Sequence, residues 1–564
     1  MARLTAPRTA GPRPRVAPAD PPALAGADGG GEPRPALAAL RPRRWSRAIA
    51  RPARIPFGSL LLIAALAGAE PAEAADSVRI TTARLDLVIS LAGAVPVSWR
   101  VCDPSCASAD AGRGTALRFV SEDDSPQPRL VLRGSGGPVD LLALRFTADV
   151  RDDPHARVAT FEAALPVDGA RLAKSFAVSR DRYEVAMTVR LLGPNAAQFS
   201  AGRGLELGAD GGLFPAPAAG FSAVLDRVRR VVVGPGGVRV LGDDGHGPVP
   251  LGADEWAGFR SRFWAMLARP DGPGALEPRP GPALALLVDR QAPLTWRYVL
   301  YSGPVEYGAL RRADPELGRM LFAGLWSWLR PLSFGLLFLL RRLSAVAGDV
   351  GLGIIALAVA VKILLLPLTA LAHRLQEQVN QTQARLQPGI DAIKAAHRGE
   401  ERTRRTLALY REEGVHPLYT LKSLVGFLIQ LPVFVAVFDM LAEDFDLYRR
   451  PFLWIRDLSR PDELLRLPTC VPFFGCHLNL LPFLMTGVSV AALLRFHSPV
   501  LTPALVHRQR RNLVAMAALF FVLFYTFPAG MILYWTSTNA VQLAGQELGR
   551  VRRDRHRPGP RGAG

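Results

Sequence analysis

The chain has 564 residues, of which 49% are hydrophobic and 21% charged, and its formal net charge is +19. This length exceeds that of one small domain, and the hydrophobic fraction favours a membrane protein with a sizeable soluble part. The positive charge is compatible with nucleic-acid binding, but the arginines cluster beside apolar segments, so attraction to anionic lipids explains them better and no DNA partner is expected.

The N-terminal part of the chain has two sections. Residues 1–54 are rich in Arg, Pro, Ala and Gly without any hydrophobic period, so we expect a disordered basic region. Residues 55–75 contain a short apolar run at 57–69 followed by small residues, which predicts a signal peptide cleaved near Ala74 or Ala75. An uncleaved first transmembrane helix is the alternative, although the run is short for a span.

Residues 76–310 have the alternation of β-strands. Leu85, Leu87 and Ile89 alternate with polar or smaller residues, and the same period of two recurs near Tyr183 and Trp296. Such a pattern predicts antiparallel strands with one buried face, and so many of them indicate a large β-sandwich with a structural or binding role.

The rest of the chain alternates apolar and polar segments. We predict an interfacial amphipathic helix at 314–343 that is broken at Pro331. Transmembrane spans are predicted at 351–371, 423–441, 480–494, 513–527 and 531–548. The connecting segments are a helical hairpin at 372–418, loops at 442–478 and 495–512, and a basic tail at 549–564.

The charges of the connecting segments predict the sides of the membrane. Basic residues exceed acidic ones in the hairpin, in the 495–512 loop and in the tail, which indicates the cytoplasmic side. The 442–478 loop is balanced, so it is placed outside with the β domain. All 4 cysteines then lie outside in local pairs, and none fits a common zinc pattern. We therefore expect the disulfides Cys102–Cys106 and Cys470–Cys476 in an oxidising compartment.

One charge interrupts the first span after the β domain. Lys362 lies at the centre of the apolar run 351–371, near the predicted membrane midplane. A charge at that depth is costly and is rarely kept unless it faces a polar cavity or a partner. The alternative is a lysine whose side chain reaches the interface.

Other polar side chains lie in the later spans. They include Gln430, Thr526 and Asn539. Each alone is commonly a satisfied hydrogen bond between helices, but together with Lys362 they would line a water-accessible pocket. The chain has no common signature of nucleotide, zinc-protease or serine-hydrolase chemistry, so it is expected not to be an enzyme and to need neither cofactor nor metal.

Five sequence motifs in the C-terminal half of the chain resemble those of a known family. The sequences AVKILLLPLTAL, LALYREEGVHPL, LIQLPVFVAVF, FLWIRDLS and FPAGMILYWTSTNAVQLAGQ occur in this order. With them the chain resembles the YidC/Oxa family of membrane protein insertases, and more weakly the Gram-negative members with a large periplasmic domain. The implied fold is an α-helical polytopic membrane bundle of five core spans, with an all-β periplasmic supersandwich and a cytoplasmic helical hairpin, in the bacterial inner membrane.

The resemblance implies a function and a site. Members insert and fold membrane proteins through a hydrophilic groove, alone or with a Sec-type translocon. The groove residues implied here are Lys362, Gln430, Thr526, Trp535 and Asn539. The implied hydrophobic slide beside them is Val425, Leu431, Pro432, Leu523 and Phe524. The implied partners are nascent membrane proteins, ribosomes and a targeting receptor at the hairpin and basic tail, and anionic lipids.

Two departures and one alternative accompany the resemblance. The groove cation of the family is usually Arg, whereas this chain has Lys362, which can lose its proton when desolvated. Members with the outer domain usually keep their first helix, whereas residues 57–69 look cleavable. The alternative function is a transporter or lipid-handling protein whose β domain binds a ligand, although the chain has no evident inverted repeat.

Overall fold

A computed structural model describes most of the chain from residue 76 onwards. The described residues are 76–107, 114–117, 129–130, 132–134, 137–196, 205–208, 214, 220–242, 247–278, 283–288, 294–416, 418–419, 421–495 and 503–555. The predicted disordered region, the signal peptide or first helix, and the end of the basic tail lie outside these residues.

The first part of the described chain is a β domain. Its strands are β1 (Ser77–Thr81), β2 (Leu85–Ser90), β3 (Val95–Val101), β4 (Thr115–Leu117), β5 (Arg129–Leu130), β6 (Leu132–Gly134), β7 (Gly137–Val139), β8 (Thr147–Asp152), β9 (Ala156–Ala164), β10 (Arg171–Ser179), β11 (Glu184–Leu192), β12 (Leu205–Gly208), β13 (Arg229–Gly234), β14 (Gly237–Leu241), β15 (Val249–Leu251), β16 (Trp256–Arg260), β17 (Trp264–Pro270), β18 (Gly274–Pro278), β19 (Ala283–Val288) and β20 (Thr295–Pro304).

These strands form three larger antiparallel sheets and one small hairpin. The largest sheet has nine strands in the order β14-β13-β16-β17-β20-β11-β10-β9-β8, the second has the order β15-β18-β19-β12-β5, and the third runs from β1 to β4. Leu85, Leu87 and Ile89 are fully buried, as are Val185 and Leu300. The alternation in the sequence therefore selected the inward faces correctly, and a sheet-rich region is confirmed.

A lysine is buried inside this domain. Lys174 on β10 is 2% exposed, and its ammonium donates to the carbonyl oxygen of Gly93 at 2.6 Å. The ring of Phe146 lies 5.4 Å from the nitrogen. Burial away from water lowers the pKa of Lys174 to about 7.

This burial predicts a pH dependence of stability. The unfolded chain binds a proton at Lys174 up to pH ~10, whereas the folded chain releases it near pH 7, so the free energy of unfolding should rise between those values. The slope contributed by one proton is at most about 1.4 kcal/mol per pH unit. In Lys174→Gln, which keeps a neutral donor, this rise should disappear in thermal unfolding followed from pH 7 to 10. Lys394→Gln, on a partly exposed helix position, is the control and should keep the wild-type slope; an unchanged slope in Lys174→Gln would contradict the prediction.

Ten helices follow or interrupt the strands within the described residues. They are α1 (Phe221–Leu225), α2 (Tyr307–Ala313), α3 (Arg330–Ala347), α4 (Val350–Leu364), α5 (Leu366–Ala396), α6 (Gly399–Glu412), α7 (Leu421–Glu443), α8 (Leu481–Leu494), α9 (Pro503–Phe524) and α10 (Ala529–Arg555). A hairpin of β21 (Leu465–Val471) and β22 (Gly475–Leu478) precedes α8. Helix α3 packs on α4 and α7, and α10 packs on α4 and α8.

The predicted span at 351–371 is not one straight helix. Helix α4 ends at Leu364, and α5 begins at Leu366 with Pro367 in its first turn, at an angle of 59°. Proline has no N–H and is accommodated where a helix starts, so a continuous apolar run can hold a sharp bend. Lys362 therefore lies in the last turn of α4 and not at the centre of one straight helix, and its position near the membrane midplane stays a prediction.

The predicted amphipathic helix at 314–343 is also corrected. A short 3-10 helix covers Pro315–Met320, and α3 starts only at Arg330. Pro331 lies in the first turn of α3, so it begins a helix where the sequence predicted a break. Trp326 and Trp328, in the segment between, stack with ring centroids 6.2 Å apart and are more than 60% exposed.

The polar segment after Lys362 forms two helices that lie side by side. Gly399, with φ of +61°, begins α6 after the turn that follows α5. A Cβ at Gly389 would come within 2.9 Å of Leu409, which shows how closely the two helices approach. Helix α5 extends without interruption from the bend at 365, so the hairpin includes part of the segment predicted as a span.

The last two helices are longer than predicted. Helix α9 begins at Pro503, inside the predicted loop 495–512, and α10 continues to Arg555, inside the predicted tail. Arginine has high helix propensity, so hydropathy alone underestimates helices that end in basic turns. Among the described residues no single helix has the length and apolarity of a membrane span; α4 and α5 meet that test only when taken together.

A buried arginine joins the β domain to the helices. Arg262, 3% exposed, donates from Nε to the carbonyl oxygen of Ala442 and from Nη1 to that of Ser459 at 2.8 Å. The carboxylate of Asp226 lies 3.8 Å from Nη1. Burial lowers the pKa of Arg262 to about 10, with nearby carboxylates opposing the shift, so the side chain stays charged at neutral pH. One cation thus fixes the end of α7 and the following loop to the β domain.

A second contact lies at the turn between α9 and α10. The rings of Phe221 and Phe527 stack with centroids 3.9 Å apart. Phe221 donates its backbone N–H to the hydroxyl of Thr526 at 3.2 Å. A Cβ at Gly220 would come within 2.5 Å of Thr526, so only glycine allows this approach. The β domain therefore contacts both the α7 end and the α9–α10 turn.

Candidate functional site

The bend after α4 places Lys362 beside α10. Its ammonium donates to Oε1 of Gln542 at 3.2 Å. Within the described part of the chain, no carboxylate lies within ion-pair distance of Lys362. A cation that has only an amide as its neighbour must be hydrated or must meet an anionic or polar ligand, because an isolated charge is costly to desolvate.

Lys362 faces a cavity of about 90 Å³ between four helices. Its lining combines amides and hydroxyls with apolar side chains. It consists of Val361, Lys362, Leu365, Thr369, Gln430, Val433, Phe434, Tyr534, Trp535, Thr538, Asn539 and Gln542. We call this cavity the lysine pocket. It brings together four of the five predicted groove residues.

A second cavity of about 240 Å³ lies across α10, between α8 and α9. It shares Trp535, Asn539 and Gln542 with the lysine pocket. Asn539 donates from Nδ2 to the hydroxyl of Ser489 on α8 at 2.9 Å. The shared side chains form the partition between the two cavities, so both lie along one polar face of α10.

Aromatic rings separate the lysine pocket from the β domain. Trp535 is surrounded by Phe434, Phe438, Phe520 and Phe524, with ring centroids 5.1 to 5.8 Å from its own. Edge-to-face aromatic packing of this kind excludes water and resists deformation. Trp535 and Phe434 are therefore both part of this cluster and part of the pocket lining.

Thr526 is the predicted groove residue that lies elsewhere. It follows the end of α9 and contacts the β domain at Gly220, on the other side of the aromatic cluster. A hydroxyl in an apolar segment has several possible partners, and here the β domain supplies the partner through a contact distant in sequence. Its assignment to the groove is corrected.

The predicted slide residues differ in exposure. Leu523 is 47% exposed on α9, and Leu431 and Pro432 are partly exposed on α7. Phe524 is only 5% exposed and packs in the aromatic cluster around Trp535. The side chain of Val425 lies outside the described residues.

Sequence reasoning missed Gln542, the hydrogen-bond partner of Lys362. Thr538 and Asn539 lie three and four residues after Trp535, and Gln542 lies four and three residues after them, so all of them share one face of α10. Extending that face by one turn from Asn539 would have found Gln542. Thr369 and Tyr534 also line the pocket and were not predicted.

Comparisons with known proteins match the segment that contains both cavities. Residues 342–554 match the family described as 60Kd inner membrane protein. A protein named membrane protein insertase YidC from Ralstonia nicotianae is 27% identical over 451 residues, covering 75% of this chain and 72% of that protein. One of the same name from Anaeromyxobacter sp. is 34% identical over 257 residues, covering 44% of this chain and 42% of that protein.

A solved structure was also matched. It is described as an active YidC insertase with the first transmembrane domain resolved, and the alignment covers 84% of this chain and 92% of that chain at 16% identity and a TM-score of 0.33. The segment that matches the family model includes every residue that lines the lysine pocket. Residues 342–554 thus match the family of 60Kd inner membrane proteins, and the chain is similar to proteins named membrane protein insertase YidC.

Proposed function

We propose that this chain inserts proteins into the membrane by offering the lysine pocket to the polar part of an incoming segment. The observation that carries the proposal is Lys362, a cation on an apolar helix whose neighbour is the amide of Gln542 and which faces a cavity lined by further amides and hydroxyls. Such a pocket attracts acidic or polar groups and shortens the apolar distance that they must cross.

The proposed placement in the membrane follows from charge and disulfides. The β domain and the loop 442–478 lie in the periplasm, and the α5–α6 hairpin and the end of α10 lie in the cytoplasm. The pairs Cys102–Cys106 and Cys470–Cys476, both bonded in the structure, suit the oxidising side. Helix α7 has 23 residues, a length of about 35 Å that suffices to cross a hydrocarbon core.

We propose that the lysine pocket opens toward the cytoplasm and is closed toward the periplasm. The cluster around Trp535 lies between the pocket and the β domain, so an aqueous path to the periplasm is blocked. An incoming segment would leave sideways, along the exposed faces that include Leu431 and Leu523. Burial of its apolar surface in lipid, at about 25 cal/mol per Å², supplies the driving force without any covalent reaction.

The partners follow from the same placement. Nascent membrane proteins are the substrates, and a Sec-type translocon is a partner for larger ones. The α5–α6 hairpin presents Arg404 and Arg405, both exposed, to ribosomes or a targeting receptor. Basic residues on this side also attract anionic lipids. The relatives support this function and not the transporter alternative, because those reported are named insertases.

Reconstitution tests the proposal directly. The purified chain is placed in vesicles, a small single-span protein is synthesised in their presence, and insertion is read as a protease-protected fragment. We expect protection with the chain and none with empty vesicles. Equal protection in both would contradict the proposal.

Gln542 is expected to support Lys362, and its substitution should reduce insertion relative to a control substitution on the same helix. Gln542→Leu removes the acceptor beside Lys362, and a hydrogen bond to a charged group contributes about 1.5 kcal/mol, so insertion should fall about tenfold. Gln546→Leu, one turn further along α10 and exposed, is outside both cavities and should leave insertion unchanged. The same protected fragment measures both variants; equal activity would show that Gln542 does not support the lysine.

A further inference from the structure

The β21–β22 hairpin presents an apolar tip. Its turn joins Val471 to Gly475 and is flanked by the disulfide Cys470–Cys476. Val471 is 43% exposed and Phe473 is 66% exposed. Phe473 has φ of +70°, a conformation that bulky residues rarely adopt, and its large side chain nevertheless remains exposed to solvent. This short, covalently closed turn thus offers two exposed apolar side chains, Val471 and Phe473, to a partner that accepts apolar surface.

The hairpin is fixed to the outer end of α9. Asn479 donates from Nδ2 to the carbonyl oxygen of Tyr525 at 2.7 Å, and the Tyr525 hydroxyl donates to the carbonyl oxygen of His477 at 3.2 Å. Asn479 is 3% exposed, so these bonds are shielded from water. The base of the hairpin therefore has a set position relative to the α8–α9 pair.

The tip folds back along these helices. The ring of Phe474 lies 4.8 Å from that of Tyr525 and 6.4 Å from that of Phe521, which is one turn inside α9. The adjacent surface of α8 is apolar and exposed, with Phe483 at 47% and Leu484 at 42%. The ring of Phe473 lies 5.7 Å from that of Phe474, so the exposed tip adjoins the apolar surface of these two helices through Phe474.

We propose that the tip of this hairpin is inserted in the outer leaflet of the membrane and anchors the outer end of the α8–α9 pair. The inference rests on the proposed placement of these helices as spans. Lipid is the occupant favoured by the observations, because the exposed apolar side chains of the tip adjoin helix faces that would contact acyl chains. The disulfide limits the conformations of the turn, so little entropy is lost on insertion.

The hairpin base fits the same arrangement. Arg466 is exposed and lies opposite His477, near the base and away from the turn. With the tip among acyl chains, Arg466 would lie at the level of the lipid phosphates, which a guanidinium binds well. The positions of the two groups along the hairpin thus match a membrane interface: the charge lies at the lipid phosphates and the apolar tip lies among the acyl chains.

Photocrosslinking in vesicles tests the inference. The photoreactive residue p-benzoylphenylalanine replaces Phe473, Leu484 or Val97 in the full chain, which is reconstituted in phosphatidylethanolamine–phosphatidylglycerol vesicles and irradiated. Val97 is 49% exposed in the β domain and is the control outside the membrane. We expect mass spectrometry to detect lipid adducts with the probe at 473 or at 484. With the probe at 97 we expect no lipid adducts.

The outcomes separate the two proposals. A further variant carries the probe at Val471. If lipid adducts form at 484 but at neither 473 nor 471, the anchor proposal is wrong, whereas the placement of α8 and α9 as spans stands. Absence of adducts at 484 as well would overturn the placement and the anchor with it. A crosslink from 473 to a second copy of the chain in place of lipid would also overturn the anchor. The probe at 471 ensures that a disturbed turn in the 473 variant does not decide the result.

Discussion

In Lys362→Glu, we expect insertion of a single-span protein to fall at least about tenfold, because a like charge facing an acidic or polar segment costs several kcal/mol. Lys362 has no carboxylate within ion-pair distance among the described residues, so its charge acts on the contents of the pocket. Lys362→Met should give an intermediate loss, since it removes the attraction without adding repulsion. The protease-protected fragment in reconstituted vesicles measures each variant.

The replacement by arginine separates charge from shape. Lys362→Arg keeps a cation that can still donate to Gln542, so insertion should stay near the wild-type level. Arg151→Glu makes the same charge reversal at a β-domain side chain that is 79% exposed, and it should have no effect. Wild-type insertion by Lys362→Glu would contradict a role for the pocket charge.

The second large effect is expected at the junction between the β domain and the helices. In Arg262→Met, the carbonyl oxygens of Ala442 and Ser459 lose their donor and Asp226 loses a nearby cation. Removing one partner from a buried charged contact costs about 3 kcal/mol or more. We expect a lower unfolding temperature in detergent and faster proteolysis in the loop after α7.

The matched control is the same substitution at the surface. Arg297 is 66% exposed, and its guanidinium lies 3.4 Å from Asp271. Arg297→Met should change stability by less than about 1 kcal/mol, as expected for an exposed ion pair. If Arg262→Met unfolded at the wild-type temperature, the buried arginine would not hold the two parts together.

Local periodicity explains what could be predicted from the sequence. The alternation around Leu87 and Val189 identifies buried side chains because a strand has only two faces and one of them faces the core. The polar residues of α10 lie together because helical spacing places them on one face. Gln542 lies on the same face, so continuing the helical spacing by one turn would have predicted it as well.

Contacts distant in sequence explain the errors. The bend at Leu365 lies inside a continuous apolar run, where Pro367 is compatible with either a kink or a new helix. Thr526 and Phe524 are two residues apart in the chain, yet one contacts the β domain and the other packs against Trp535. Composition does not distinguish these surroundings, because both depend on which elements pack against the α9–α10 turn.

The central claim is that an incoming segment occupies the lysine pocket, and its most direct test is contact. With p-benzoylphenylalanine in place of Gln430, a single-span chain stalled during synthesis should crosslink to the insertase, and Lys362→Glu should remove the crosslink. The probe at Leu484, exposed on α8 and outside both cavities, is the matched control and should give none. Equal crosslinking from 484, or none from 430 while insertion proceeds, would contradict the claim.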